Sequence, residues 1–342
     1  MTLAGWVDRG DRVLAGSIFG TDDPGSVRRM ILGWATGQGI AGARVDAVAF
    51  SVGAAVTLRL PDGSRLFVKV WPQSTDVRGL AAQMRVQQGM ATSGFPAPRV
   101  LTGLSALEPG RPSGWAVAMT HDRSGRVPDA RRPAVRRMMA AGLAGFVAQA
   151  EAWRGQPDLP GRELPLGDAV WPRPHNALFD FAATARGAGW IDRAGAVALA
   201  AIRAAASRLV VGHHDWSAKN MRIGEHRLAV LYDWDAVFLD RETSVVGSAA
   251  AHFPITGAVD APEPGRAEIV AFVREYEQAR FNAFSRAELA GIGAAASYSL
   301  AWEARCEHAI DPGRLNWTGS ARESLLAHGP IRLLSGPGAE TA

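Results

Sequence analysis

The spacing of apolar positions changes several times along the chain. Residues 24–40, PGSVRRMILGWATGQGI, place Val27, Met30, Ile31 and Trp34 three and four apart, which predicts an amphipathic helix ending at Gly37 or Gly39. From Val45 the pattern becomes short β-rich runs, VDAVAFSV, AAVTLRL and RLFVKVW. Between the last two stands Pro61-Asp62-Gly63-Ser64, a hairpin signal because proline presets the turn and glycine accepts positive φ. Residues 76–94 read as a helix with Leu80, Met84 and Met90 inward. FPAPRVL (95–101) then reads as extended chain and GWAVAMT (114–120) as one more strand. Further on, helical stretches are expected at 133–153 and 190–208, with a proline-rich irregular insertion at 155–175 between them. RLVVGHHDW and NMRIGEHRLAVLYDWDAVFLD carry brief β runs, and the chain reads as helical again after Arg266. Regular alternation of strand and helix is absent, so a doubly wound parallel sheet is not expected. The pattern divides the chain into an N-terminal helical appendage (1–44), a small antiparallel sheet with one helix (45–120) and a mainly helical remainder (121–342).

Composition narrows this further. With 342 residues, 47% hydrophobic and 20% charged, the chain has the make-up of a packed globule, which excludes disorder, collagen and coiled coil. Cys306 is the single cysteine, so no internal disulfide can form, and no Cys/His cluster offers a structural zinc site. The fold is expected to rest on its apolar core, in a reducing, cytoplasmic setting. Asp8 and Asp11 interrupt the opening stretch where a signal peptide needs apolar residues, and nowhere do about 18 apolar residues run together, so no membrane association is expected. A net charge of +4 is too small to imply nucleic acid. Only Lys69 and Lys219 are lysine among 37 basic residues. The bias has a bland compositional cause; against it, each lysine is either incidental or marks a place where a compact ammonium is wanted.

The densest chemistry lies in His213-His214-Asp215-Trp216-Ser217-Ala218-Lys219-Asn220, followed by Leu231-Tyr232-Asp233-Trp234-Asp235. An Asp, an Asn five residues on and a second Asp thirteen beyond that, on loops bracketing short strands, suit phosphoryl transfer. One carboxylate can accept a hydroxyl proton, while a carboxamide oxygen and another carboxylate hold magnesium against nucleotide phosphates.

HHDWSAKN plus YDWD resembles the signature of the aminoglycoside phosphotransferase family, the small-molecule branch of the protein-kinase-like fold. The order of parts is similar as well, from a hairpin ending in a VKV lysine through a helix and a GFPAPRVL strand entry to a helical C-terminal lobe, over roughly residues 45–310. The resemblance implies an α+β, bilobal fold with an antiparallel-sheet N-lobe that binds nucleotide and a helical C-lobe that holds the acceptor. It implies Asp215 as catalytic base, His213 as the residue fixing the catalytic loop, and Asn220 and Asp233 as ligands of Mg2+. Lys69 would hold the α/β-phosphates of ATP, or of GTP, and the Ser51-Val52-Gly53-Ala54-Ala55 loop would cover them. Lys219 would reach the γ-phosphate or solvent. His214, where the family often has glycine, would reach substrate or pack locally, and Asp235 would support the metal loop. One departure stands out: Gln83 takes the place of the glutamate that pairs with the strand lysine. Glutamine brings no charge, and charge-assisted hydrogen bonds are roughly twice as strong as neutral ones.

The expected activity is therefore transfer of a γ-phosphate to a hydroxyl of a small molecule, an aminoglycoside or related antibiotic, or a choline-, sugar- or amino-acid-type metabolite. For the acceptor, Glu303 and Glu307 share a helix face at i,i+4, where like charges repel, so they are either solvated or face a cation; in the second case, with Glu242, Glu275 or Glu277 joining them, the pocket would suit a polyamine or amino sugar. Two other readings compete. One is a nucleotide-binding module with little transfer activity, motivated by Gln83. The other is a metal-dependent hydrolase using His213, His214, Asp215 and Asp233. No feature of the sequence specifies an oligomeric state.

Overall fold

The structure is a computed structural model that describes residues 9–108, 113–162, 164–175, 177–257 and 263–333; the opening stretch with Asp8 lies outside them. The chain forms two compact units, one from residues up to 122 together with 174–179, the other from 123–173 and from 180 onward.

The first unit is built on a five-stranded antiparallel sheet in the order β1-β2-β3-β5-β4, from Arg44–Phe50, Ala54–Arg59, Arg65–Trp71, Ser105–Ala106 and Trp115–Thr120. Successive side chains of a strand point to opposite faces. Ala54, Val56 and Leu58 of β2, Val68 and Val70 of β3, and Ala116 and Ala118 of β5 form one buried face. Covering it are α1 (Arg9–Phe19) and α2 (Pro24–Gly37), through Ile18, Phe19, Val27, Ile31 and Trp34. The N-terminal segment thus shares the core of the sheet and does not stand apart as an appendage. The other face carries Phe67, Lys69, Val117 and Met119, and α3 (Val77–Thr92) lies against it, since Gln87 Nε2 reaches Met119 Sδ at 3.4 Å. Asp76 caps α3 by accepting from the amides of Arg78 and Gly79, and the chain leaves near Gly94 at φ +85°.

The second unit is helical, with α4 (Pro133–Ala150), α5 (Gly189–Ala204), α6 (Glu242–His252), α7 (Arg266–Ala279), α8 (Arg286–Ile310) and α9 (Ala321–His328). Helix α8 is its centre, packed against α5, α6 and α9 and buried along most of its length. Two short antiparallel pairs are set into these helices. One is β6 (Leu209–His213) with β9 (Val237–Arg241), the other β7 (Met221–Ile223) with β8 (Leu228–Leu231). The proline-rich insertion is partly ordered onto this frame. Leu239 donates to Pro160 O and accepts from Arg162 N, and Gly161 bridges Leu239 in parallel, so an isolated bridge ties the insertion to β9. Among the described residues no helix is long and apolar enough to cross a membrane.

Candidate active site

The HHDWSAKN and YDWD segments are the two turns at one end of β6–β9 and β7–β8. β6 approaches α6 closely, because a Cβ at Gly212 would lie 2.2 Å from Val245 Cγ2. Beyond it, two buried indoles anchor the loops: Trp216 Nε1 donates to Met139 O at 3.1 Å and Trp234 Nε1 to Leu231 O at 2.8 Å. Phe146 of α4 lies against both rings and against His213, giving the loops an apolar floor in which both of these indole N–H groups are satisfied. Main-chain bonds tie the two turns together, Tyr232 N to Asn220 O at 2.8 Å and His214 N to Ala236 O at 2.9 Å. Ala218 N and Lys219 N donate to Phe253 O and Ile255 O beyond α6.

On this floor Asp215 Oδ2 lies 2.9 Å from Lys219 Nζ, and Ser217 Oγ donates to Asp215 Oδ1 at 3.1 Å. Burial works to raise the Asp215 pKa, but Lys219, with help from His213, outweighs it and holds the carboxyl at about 2. His213 is sealed from solvent. Its Nδ1 accepts from Asp215 N at 3.3 Å, which makes Nε2 the protonated nitrogen facing Tyr232 O at 2.9 Å. Asn220 Nδ2 donates to Asp215 O at 3.0 Å, leaving its carboxamide oxygen as an acceptor for another group. Asp233 has φ +62° and ψ +46°, a left-handed conformation unusual for a residue with a Cβ. Its field helps keep Lys219 protonated. Asp235 is half-buried in the single 3-10 turn that follows, Trp234–Ala236. Among the described residues no group of three or more His, Cys, Asp or Glu side chains could hold a metal unaided.

The structure places the neighbouring residues as follows. His214 does not project toward an acceptor: Arg162 NH1 contacts its Nδ1, its Nε2 is 3.2 Å from Asp240 Oδ2, and Phe238 packs edge-on against the ring. Both ring nitrogens of His213 are hydrogen-bonded and Nδ1 of His214 meets Arg162, so the adjacent histidines do not offer a metal the pair of ligands that a histidine-based hydrolase needs. Glu307 accepts from the amides of Ala321 and Arg322 at 2.9 and 3.2 Å, so it caps α9 and is not a free anion. Glu242 is consumed by Arg208, Arg280 and Tyr276, Glu275 by Arg136, and Glu277 by the Phe284 amide. Glu303 alone of this group stays near Asp215 and Lys219. It faces His252 at 3.7 Å, and burial with the Asp215 charge raises its carboxyl to about 7. Glu263, which the sequence reading overlooked, is raised to about 8 by burial and by Glu303 and Glu307, while burial lowers His252 to about 4. Arg162, Asp240 and His252 were also missed. Each lies outside the signature, and only its neighbours in space distinguish it from any other charged residue.

In the first unit, Lys69 stands between Ala55 and Val117 on the face covered by α3, only 8% exposed and with Nζ 5.7 Å from the Trp71 ring centre. Gln83 is buried on α3 one turn before Gln87, which touches the same sheet face. Ser51 N donates to Gly53 O at 2.8 Å in the β1–β2 turn. A Cβ at Gly53 would fall 2.3 Å from Val70 O, so only glycine fits the turn this close to β3.

Comparison with known proteins agrees with the α+β, protein-kinase-like reading. Among solved structures, the chain is similar to an amicoumacin kinase in complex with AMP-PNP, Ca2+ and Ami, at 10% identity and a TM-score of 0.61, covering 84% of this chain and 89% of that one. It is similar to a choline/ethanolamine kinase family protein from Mesorhizobium loti, at 13% identity and a TM-score of 0.51, covering 89% and 92%. It is also similar to a type I macrolide 2'-phosphotransferase, at 14% identity and a TM-score of 0.51, covering 94% and 100%. These are likenesses of fold. A search of curated proteins finds no match. Residues 48–289, most of the chain and all of both signature loops, match the sequence model of the phosphotransferase enzyme family, and the chain belongs to that family, as an enzyme that transfers phosphate to small molecules.

Proposed function

We propose that the protein is a magnesium-dependent kinase that transfers the γ-phosphate of ATP or GTP to a hydroxyl of a small molecule. The observation that carries this reading is the Asp215–Lys219–Asn220–Asp233 arrangement, four polar side chains held on a rigid aromatic floor with their backbones cross-linked. Phosphoryl transfer needs positioning and charge neutralisation more than covalent help from the protein, and a rigid set of this kind supplies both.

Asp215 is the group that orients and accepts the proton of the acceptor hydroxyl. Its low pKa keeps it ionised at every working pH, which suits a loose transition state in which the proton moves late. Asn220, through its free carboxamide oxygen, and Asp233 fit a magnesium ion. The donors are hard oxygens, and one carboxylate with one carboxamide is what Mg2+ takes from a protein when phosphates and waters complete its shell. Bound there, the ion would neutralise charge developing on the phosphate oxygens. Lys219 adds positive charge beside Asp215. In the first unit, Lys69 and the close Ser51–Gly53 turn are the residues that hold and cover phosphates in the resemblance. His213 holds the loop. Glu303 is the acceptor-side carboxyl, available to an amino or hydroxyl group of the acceptor. Aminoglycoside-like and choline-like compounds are both suitable first candidates, and antibiotic inactivation in a cytoplasmic setting follows if the first proves correct.

The test is transfer from γ-labelled ATP and GTP to a panel of hydroxylated acceptors, with Asp215→Asn alongside. A labelled acceptor formed by the native chain and lost by about 10² or more in Asp215→Asn is expected. Equal transfer by Asp215→Asn would return weight to a nucleotide-binding module with little transfer activity.

A further inference from the structure

We propose that His214, held at its ring by Arg162 and close to Asp240, is a positioning residue for the catalytic loop, which makes the Pro160–Arg162 stretch of the proline-rich insertion part of the machinery for phosphoryl transfer. The inference rests on the reading of Asp215 as the catalytic group.

A histidine directly before Asp215 is buried at 9% exposure, where a bare imidazole would cost stability unless its nitrogens found partners. The partners come from two different parts of the chain. Arg162 NH1 contacts Nδ1, so the neutral ring accepts there and carries its proton on Nε2; Asp240 Oδ2 is 3.2 Å from Nε2, close enough to attract it electrostatically but outside hydrogen-bond geometry. Burial and the adjacent guanidinium drive the His214 pKa far down, so this neutral form persists through the working range. Arg162 is not a loose surface arginine at this point. Its backbone is bonded to Leu239 O, the preceding Pro160 accepts from Leu239 N, and among the described residues no carboxylate lies within ion-pairing distance of the guanidinium. Surrounding protein desolvates it and lowers its pKa, although part of the side chain keeps solvent access. Asp240 is held in turn by Arg241 N at 2.6 Å.

His214 is also fixed through its main chain. Its N–H donates to Ala236 O in the turn after Asp233, and its carbonyl accepts from Ser248 Oγ of α6 at 3.3 Å. A residue restrained at the ring, at the amide and at the carbonyl leaves Asp215, the next residue, little freedom. It also ties the Asp215 loop to the Asp233 loop. A glycine here would keep the main-chain bonds and lose both ring contacts, leaving Arg162 without its partner. Misplacing a catalytic group by about 1 Å costs on the order of 10²-fold in rate, which sets the scale of what this restraint is worth.

The experiment uses the full chain and four variants, His214→Phe, His214→Gln, Arg162→Met and Asp215→Asn. Each is followed by turnover of Mg-ATP in the acceptor panel and in acceptor-free hydrolysis, by the dissociation constant for Mg-ATP, and by the unfolding midpoint. His214→Phe keeps the packing on Phe238 and removes both polar contacts; Arg162→Met keeps the stem. Both are expected to lower kcat by about ten- to a hundredfold with nucleotide affinity unchanged within about twofold. His214→Gln, whose amide can accept from Arg162 and donate to Asp240, is expected to recover most of the lost rate. If His214→Phe and Arg162→Met change only the midpoint and retain kcat, the contacts are structural and the inference is overturned. If Asp215→Asn itself keeps its turnover, the reading of the site fails before the inference is reached.

Discussion

Replacing Lys219 by Met removes the ammonium 2.9 Å from Asp215 and keeps the stem of the side chain. Asp215 is held at about 2 against an ordinary 3.8, with burial pushing upward and Lys219 pulling downward more strongly. A depression of that size corresponds to about 2 kcal/mol of stability. The Asp215 side chain is 28% exposed, so solvent screens only part of the interaction. A depressed carboxyl pKa gives stability that is present above about pH 4 and lost as pH falls through about 2. Without Lys219, burial is left as the largest influence and the Asp215 pKa should rise above 3.8. The variant then pays at neutral pH for a buried carboxylate and recovers as that carboxylate takes up its proton. Urea unfolding of both proteins from pH 7.5 to pH 3.5 measures this directly. The stability gap should be largest at pH 7.5 and should shrink by at least about 1 kcal/mol on reaching pH 3.5. A gap that stays constant over that range would refute the argument that Lys219 governs Asp215.

Glu242, buried against Arg208, Arg280 and Tyr276, should cost about 3 kcal/mol on replacement by Gln, since a cation loses its buried counter-charge; urea midpoints check this, and a loss under about 1 kcal/mol would contradict it. Gly53→Ala should lower stability by about 1–3 kcal/mol and weaken nucleotide binding, because its methyl would overlap Val70 O; unchanged nucleotide affinity would remove the β1–β2 turn from the site. The carboxyls of Glu263 and Glu303, raised to about 8 and about 7, make the folded state hold protons that the unfolded state releases near 4.5, so stability should fall as pH rises from about 5 to 8.5. The double variant Glu263→Gln, Glu303→Gln should flatten that slope in thermal unfolding, and an unaltered slope would place its origin elsewhere.

Much of the fold was legible because its signals are local. The Pro-Asp-Gly turn, the two-residue alternation of AAVTLRL and RLFVKVW, and the Asp76 and Gly94 boundaries of α3 are each written within a few residues of where they act. Helix α1 was not, since Gly10, Asp11 and Gly16 dilute its apolar face and only the sheet beneath it selects the helix. The bridge at Gly161 was hidden for a related reason: one bridging residue next to proline has no periodicity, and its partner lies far along the chain at Leu239. The signature residues of the site were readable as chemistry because Asp215, Lys219, Asn220 and Asp233 fall within nineteen positions. What surrounds them was not. Glu307 reads like Glu303 in sequence, and only the position of α9 turns it into a helix cap. The role of His214 depends on Arg162 and Asp240, one to either side in sequence and both remote.

The central claim, a magnesium–nucleotide site centred on Asn220 and Asp233, is tested most directly by thermal unfolding of the native chain and Asp233→Asn with Mg-ATP and Mg-GTP, each with and without EDTA. A nucleotide at about 100 times its dissociation constant adds roughly 2.7 kcal/mol, enough for a clear upward shift of the midpoint. The account predicts a shift with at least one nucleotide that disappears with EDTA and in Asp233→Asn. Equal stabilisation of Asp233→Asn, or no stabilisation of the native chain by either nucleotide, would contradict it.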